Sequence, residues 1–282
     1  MEVNVQMKLT EINIRDPFIM LYEDKYYMYG SRVGGTQTGF DVYVSDDLEN
    51  FSEPKSVFEI YDGFWGTTDC WAPEVHYYRG KFYMLASFKA DAACRGTGIL
   101  VSDTPDGKFT VHSERITPAH WECLDGTLYV ENEIPYMVFC KEWVQIHNGE
   151  VYGVKLSKDL SRADGEPFLL WKAGDASWVS PIDKEGKSFV TDGPFLYKTE
   201  DGKLKSLWSS FSNGEYVLAT ATSQNGSING KWHIDDELIY ERDGGHGMIF
   251  KTKEGKQMIS LHSPNTAFNE RPKFFELPKK FG

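Results

Sequence analysis

One pattern recurs five times along the chain, and few folds accommodate it. Each copy carries a small polar motif, a short apolar strand, a turn containing Gly, Asp, Glu or Asn, and an aromatic-rich strand ending in small or polar residues. The copies read RDPFIMLYEDKYYMYGS from Arg15, APEVHYYRGKFYMLASF from Ala72, DGTLYVENEIPYMVFCKEW from Asp125, DGPFLYKTEDGKLKSLWSSF from Asp192 and HGMIFKTKEGKQMISLHSP from His246. With Asp16, Ala72, Asp125, Asp192 and His246 taken as equivalent, the steps are 56, 53, 67 and 54 residues. One hairpin is too short for such a step, and a four-stranded antiparallel unit fits it.

Turn signals separate the two strands of each copy, as in Glu23-Asp24-Lys25, Arg79-Gly80-Lys81 and Glu254-Gly255-Lys256. These are hairpin signatures. Further β-like stretches fill the intervals, such as Phe40 to Val44 and Gly98 to Val101, and in the long third step IHNGEVYGVKL reads as a strand pair. Long amphipathic helical patterns are absent. A β-sandwich would place its turns every ~8–12 residues without a longer period. The expectation is an all-β chain, a five-bladed β-propeller whose blades pack radially and expose little edge. No linker rich in Pro, Gly or Ser divides residues 1–282, so one domain is expected.

The balance of 30 basic and 42 acidic side chains, a formal charge of −12, argues against a nucleic acid or an anionic membrane as partner. The longest apolar runs, Phe18 to Tyr22 and Tyr136 to Cys140, fall far short of the ~20 residues of a membrane-spanning helix. The N-terminal residues carry no secretory-signal pattern, which leaves the compartment undetermined, as is the oligomeric state. Cys70, Cys94, Cys123 and Cys140 lack CxxC spacing and are expected to be free, mostly buried thiols. Aromatic residues make up 15% of the chain, and they serve both as strand formers and as surfaces on which sugar rings stack.

In a propeller the innermost strands line the central channel, so the residues heading the repeats converge there. Three carboxylates and one imidazole in a single funnel are costly to desolvate unless they bind something or share protons. Glycoside cleavage requires such a set. One carboxylate stays ionised to activate water or attack carbon, another stays protonated to serve the leaving oxygen, and a third can raise the donor's pKa by repulsion.

On these residues the chain resembles glycoside hydrolase family 43, from Arg15-Asp16-Pro17-Phe18 through Trp71-Ala72-Pro73-Glu74 to the His246-Gly247 of the last copy. The resemblance implies a five-bladed propeller that cleaves α-L-arabinofuranosyl or β-D-xylosyl linkages of plant polysaccharides with inversion. It implies that Asp16 is the general base and that Asp125 orients the acid and raises its pKa. The family presents Glu-Gly-Pro in the fourth blade, with Glu as the acid, whereas this chain has Thr191-Asp192-Gly193-Pro194. Asp is one methylene shorter. The acid is therefore expected to be Asp192 or, following the second strand of the third copy, Glu142. A carbohydrate-binding propeller that has lost its acid is the alternative. No cofactor is required, though the resemblance places a central calcium ion beside His246 in several members. Trp71, Trp121 and Trp143 lie near inner-strand motifs and are candidate sugar platforms, although packing between blades is an equally good use of each. Arg15 is a candidate substrate-binding residue, Arg15 and Arg271 are candidate partners for carboxylates, and Glu74 is expected below the funnel floor as a buried pair partner.

Overall fold

The structure, a computed structural model, describes residues 6–35 and 37–282. Among these residues the strands form five antiparallel sheets arranged as a five-bladed β-propeller. The first blade comprises β1 (Gln6–Lys8), β2 (Ile14–Tyr22), β3 (Lys25–Arg32), β4 (Gly39–Ser45), β5 (Asn50–Ser52) and β6 (Lys55–Glu59). The second holds β7 (Thr68–Tyr78), β8 (Lys81–Ala90), β9 (Ala93–Ser102) and β10 (Thr110–Ser113). The third holds β11 (Cys123–Glu131), β12 (Ile134–Lys141), β13 (Glu150–Lys155) and β14 (Phe168–Lys172). The fourth holds β15 (Asp192–Lys198), β16 (Leu204–Ser212), β17 (Glu215–Ser223) and β18 (Trp232–Tyr240), and the fifth only β19 (Gly245–Lys251), β20 (Gln257–His262) and β21 (Pro272–Glu276).

The blades are thus less uniform than five four-stranded units. The first gains short outer strands, with β1 pairing to β5 and β6 to β4, and the fifth stops at three. The stretch read as a strand pair in the third blade instead holds the last residue of a single helical turn, α1 (Trp143–Ile146), a short loop and the one strand β13. His147 ends that helix at φ 62°, and its backbone N–H returns to Trp143 O.

Tight hairpins join β2 to β3, β7 to β8, β11 to β12 and, in the fourth blade, β16 to β17. Glu23-Asp24 and Asn132-Glu133 place both turn residues at positive φ, and so do Arg79-Gly80 and Asn213-Gly214. That geometry matches the twist of the flanking strands, so two residues suffice to reverse the chain. Aromatic side chains then fill the wedges between blades. Phe40 meets Phe88 at 5.9 Å between the first and second blades, and Trp171 meets Trp208 at 6.1 Å between the third and fourth. Phe88 and Trp208 are fully buried. Truncating a ring of this kind costs about 3–5 kcal/mol.

Candidate active site

Each inner strand bulges at the same place. The ladder slips between Arg15 and Phe18, Trp71 and Glu74, Leu124 and Thr127, Asp192 and Phe195, and Gly245 and Met248. In every case the residue after the first of the pair has positive φ: Asp16 at 53°, Ala72 at 45°, Asp125 at 56°, Gly193 at 52° and His246 at 53°. A bulge of this sort bends the strand and re-aims a side chain, which is why such features gather beside sites. The equivalent position in the fourth blade is therefore Gly193. Asp192 precedes it, in register with Arg15, Trp71, Leu124 and Gly245, which corrects the equivalence taken from the repeats. Glycine is required at that position by space as well as by φ, because a Cβ on Gly193 would stand 2.7 Å from Cδ2 of the His246 ring.

The backbone N–H of the bulge residue is held by a side chain of the preceding blade. Asp16 donates to His262 Nδ1 at 3.2 Å, Ala72 to Ser31 Oγ at 2.7 Å, Asp125 to Ser87 Oγ at 2.9 Å and His246 to Ser209 Oγ at 2.8 Å. These four acceptors lie opposite Gly245, Arg15, Trp71 and Asp192 on the second strands of their blades. In the third blade the corresponding residue is Cys140, opposite Leu124. There the Asp125 carboxylate takes the duty, with Oδ2 accepting from Gly193 N–H at 2.9 Å.

These inner strands open onto a cavity of about 520 Å³, lined by Arg15, Asp16, Trp71, Asp125, Asp192, Tyr216 and His246, with Phe268 and Glu270 from the fifth blade. Three carboxylates meet here and are set differently. Burial would raise the Asp16 carboxyl, but the His246 and His262 rings, the Arg15 guanidinium and the Ser31 hydroxyl outweigh it and hold it at about 2. His246 Nδ1 lies 3.1 Å from Asp16 Oδ1 and 3.7 Å from Asp125 Oδ2, and Ser31 Oγ donates to Asp16 Oδ2 at 2.5 Å. His262 Nδ1 accepts the Asp16 N–H, and burial pushes the His262 pKa down to about 3.

Asp192 is pushed up to about 7, first by burial and then by the neighbouring Asp125 charge, against the opposing pull of His246 and a 3.1 Å bond from Tyr216 Oη. Asp125 is raised well above the usual carboxylate range, by burial and by the charge on Asp16, with the Gly193 bond opposing. Asp125 and Asp192 each disfavour the other's ionisation and titrate as a coupled pair.

The other expected site residues fall into three groups. Trp71 lines the cavity, with its Nε1 bonded to Gln37 Oε1 at 2.6 Å and one ring face covered by the Arg95 guanidinium at 3.7 Å. Arg15 also lines it and bonds Glu270 Oε1 at 3.0 Å. Glu142, Trp121 and Trp143 do not line it. Glu142 caps α1 from a buried position where Oε2 accepts from Arg95 Nε at 3.2 Å. Trp121 packs against Tyr152 beneath the Lys141 ammonium, and Trp143 begins α1. Arg271 bonds the backbone carbonyls of Thr10 and Glu270 and, among the described residues, no carboxylate. Glu74 is buried below the site and pairs with His76 at 3.1 Å.

The donor set around His246 does not fit a metal cage. Among the described residues no group of three or more His, Cys, Asp or Glu is arranged to hold an ion, and the Nδ1 of His246 faces two carboxylates. Tyr216, Gln37, Arg95 and Glu270 are site residues that the motifs missed. A partial signal existed for the stapling residues, because Ser31, Ser87, Cys140, Ser209 and His262 are the small or polar ends of the five aromatic-rich strands.

Carboxyl groups set to different protonation states around one cavity are the equipment that glycoside cleavage uses. Residues 9–276 match glycosyl hydrolases family 43, and the chain belongs to that glycosidase family. The fold is similar to the crystal structure of an endo-arabinase from Bacteroides thetaiotaomicron, with TM-score 0.90 and 39% identity over 96% of each chain. A xylosidase/arabinosidase from Humicola insolens is 25% identical over 209 residues, which is 68% of this chain and 58% of that enzyme's length. An extracellular endo-alpha-(1->5)-L-arabinanase from Bacillus subtilis is 22% identical over 247 residues, covering 78% of this chain and 74% of the relative.

Proposed function

We propose that this chain hydrolyses α-L-arabinofuranosidic linkages with inversion, with β-D-xylosidic linkages as the second substrate class. The observation that carries the reading is that Asp16 and Asp192 face one cavity from different blades, with Asp125 between them in the bonding pattern. The arabinan-cleaving names of two similar proteins favour arabinose over xylose.

In this mechanism Asp16, ionised throughout the neutral range, takes a proton from the attacking water. Asp192, still protonated near neutrality, donates to the departing glycosidic oxygen as the bond breaks. Asp125 titrates as a coupled pair with Asp192, so that the pair retains a proton near neutrality, and it fixes the Gly193 backbone next to the acid. Inversion needs the two carboxyls ~6.5–9.5 Å apart so that water fits between sugar and base. The shorter Asp serves as acid because its carboxyl itself forms part of the cavity wall, where Tyr216 holds it. Glu142 has a structural role in this reading, since its carboxylate is engaged with Arg95. Trp71, braced from behind by Arg95 and at its edge by Gln37, offers its remaining face to a sugar ring.

The test is product release from linear α-1,5-arabino-oligosaccharides and β-1,4-xylo-oligosaccharides by the wild type, Asp16→Asn and Asp192→Asn. The reading predicts turnover by the wild type and losses of at least about 100-fold in both variants, the scale of a lost acid or base. Binding without any turnover by the wild type would replace it with a sugar-binding propeller.

A further inference from the structure

Of the buried side-chain polar atoms without a hydrogen-bond partner among the described residues, Oε2 of Glu270 is the one that belongs to a carboxylate, and Glu270 is the one such residue lining the cavity. The residue is 2% exposed. Its Oε1 accepts from Arg15 Nη1 at 3.0 Å, and its backbone carbonyl takes two further donors, Asn13 Nδ2 at 2.6 Å and Arg271 Nη1 at 2.8 Å. The carboxylate is thus held in place with one oxygen unsatisfied. Leaving a charged oxygen buried and unpaired is costly, and a ligand hydroxyl that donates to it removes the cost.

Arg15 complements that oxygen. It sits on β2 next to Asp16, is one-third exposed, and uses a single guanidinium nitrogen on Glu270, leaving the other N–H donors of its planar fork without partners among the described residues. Two residues before Glu270, Phe268 also lines the cavity, 68% exposed and at φ 68°. A large apolar side chain held in the left-handed region and left in solvent is unfavourable on both counts unless its ring face is used. The loop bearing it meets the first blade at Gly34, where a Cβ would touch the Phe268 ring at 3.5 Å.

We propose that Glu270 and Arg15 together read two adjacent ring hydroxyls of the pentose held beside Asp16, and that Phe268 covers an apolar face of the bound sugar. One hydroxyl donates to Glu270 Oε2 while its neighbour accepts from the free guanidinium donors of Arg15. Because Glu270 is enclosed, a substituent on the hydroxyl that donates to it has no room, so the site selects a sugar unbranched at that hydroxyl. The proposal rests on the hydrolase reading only in placing a pentose in the cavity.

Calorimetry in a non-hydrolysing Asp192→Asn background tests it with α-1,5-arabinotriose or β-1,4-xylotriose, whichever binds more tightly. An analogue lacking one of the two hydroxyls serves as the comparison ligand. Glu270→Gln and Arg15→Lys are each expected to weaken the parent trisaccharide about tenfold or more, and to have little further effect on the analogue that has lost their contact. A ligand branched at the hydroxyl that donates to Glu270 is expected to bind at least about tenfold more weakly than the linear one. Thermal melting identifies a variant that fails to fold, and Arg15→Lys, in a half-buried residue, keeps the test open if Glu270→Gln does so. Equal losses for parent and analogue would mean that Glu270 only braces Arg15 and would overturn the proposal while leaving wild-type hydrolysis intact. Absence of trisaccharide binding together with absence of wild-type turnover would remove both this proposal and the hydrolase reading.

Discussion

Asp125 holds the backbone N–H of Gly193 at 2.9 Å through Oδ2, and Gly193 is the residue immediately after Asp192. A single carboxyl thus fixes the backbone that carries the proposed acid and titrates with that acid as a coupled pair, both raised above the ordinary carboxylate range. In the other blades the equivalent N–H is held by a serine or histidine at the end of a second strand. The third blade has Cys140 there, and a thiol is a weak acceptor. The exchange of duties brings Asp125 to bear on the fourth blade.

The pH dependence follows from the opposite settings of Asp16 and Asp192. With the Asp192 carboxyl at about 7, activity on natural oligosaccharides is expected to fall about tenfold per pH unit above neutrality. With Asp16 at about 2, loss of the base contributes no acid limb above about pH 4. Initial rates from pH 4 to 9 check both statements.

The same shift acts on stability. Asp192 has a folded-state pKa above the ordinary 3.8, so the folded chain binds the extra proton between about 4 and 7. Its stabilising contribution is complete below that window and is lost as pH rises through about 7. Asp192→Asn, inactive as an acid, is expected to melt at least about 3 °C above the wild type at pH 8 and close to it at pH 4. Melting curves at the two pH values decide the matter.

Cys140→Ser restores the hydroxyl that three of the other blades use. The serine is expected to take the Gly193 N–H and release Asp125, which loses a bond favouring its charged form. Asp125 then holds more of the proton that the pair shares and Asp192 less, so the pH profile changes and kcat falls by more than KM changes. An unchanged pH profile would contradict the positioning role given to Asp125.

Glu142→Gln separates the two acids considered from the sequence. Because Glu142 pairs with Arg95 and lies outside the cavity lining, turnover is expected to stay within about threefold of the wild type while stability drops by ~1–3 kcal/mol. Loss of turnover on natural oligosaccharides with an unchanged melting temperature would return Glu142 to the chemistry.

Much of this architecture is legible in the sequence, because strand pairing, turn chemistry and the bulge residues repeat together. Glu23-Asp24 and Arg79-Gly80 announce their hairpins, and the heads of four repeats announce the funnel. The fourth head misled because Asp192 is the carboxylate nearest the expected position, whereas the position itself demands positive φ and space for the His246 ring, which Gly193 supplies. IHNGEVYGVKL alternates like a strand pair, but the turn at His147 and the bond from Gly149 N–H to Phe189 O make its first residues the end of α1 and a loop. Glu270 and Arg95 carry no local motif. Their roles depend on contacts with Arg15, Glu142 and Trp71 that are distant in the chain, and only the closed ring of blades brings them together.

The most direct test of the account is the anomeric configuration of the sugar first released from a linear arabino-oligosaccharide, followed by proton NMR before mutarotation, with wild type and Asp16→Asn compared. The account predicts an inverted product from the wild type and at least about a 100-fold loss of its formation in Asp16→Asn. A retained configuration, or turnover that survives Asp16→Asn, would contradict the assignment of Asp16 as the base opposite Asp192.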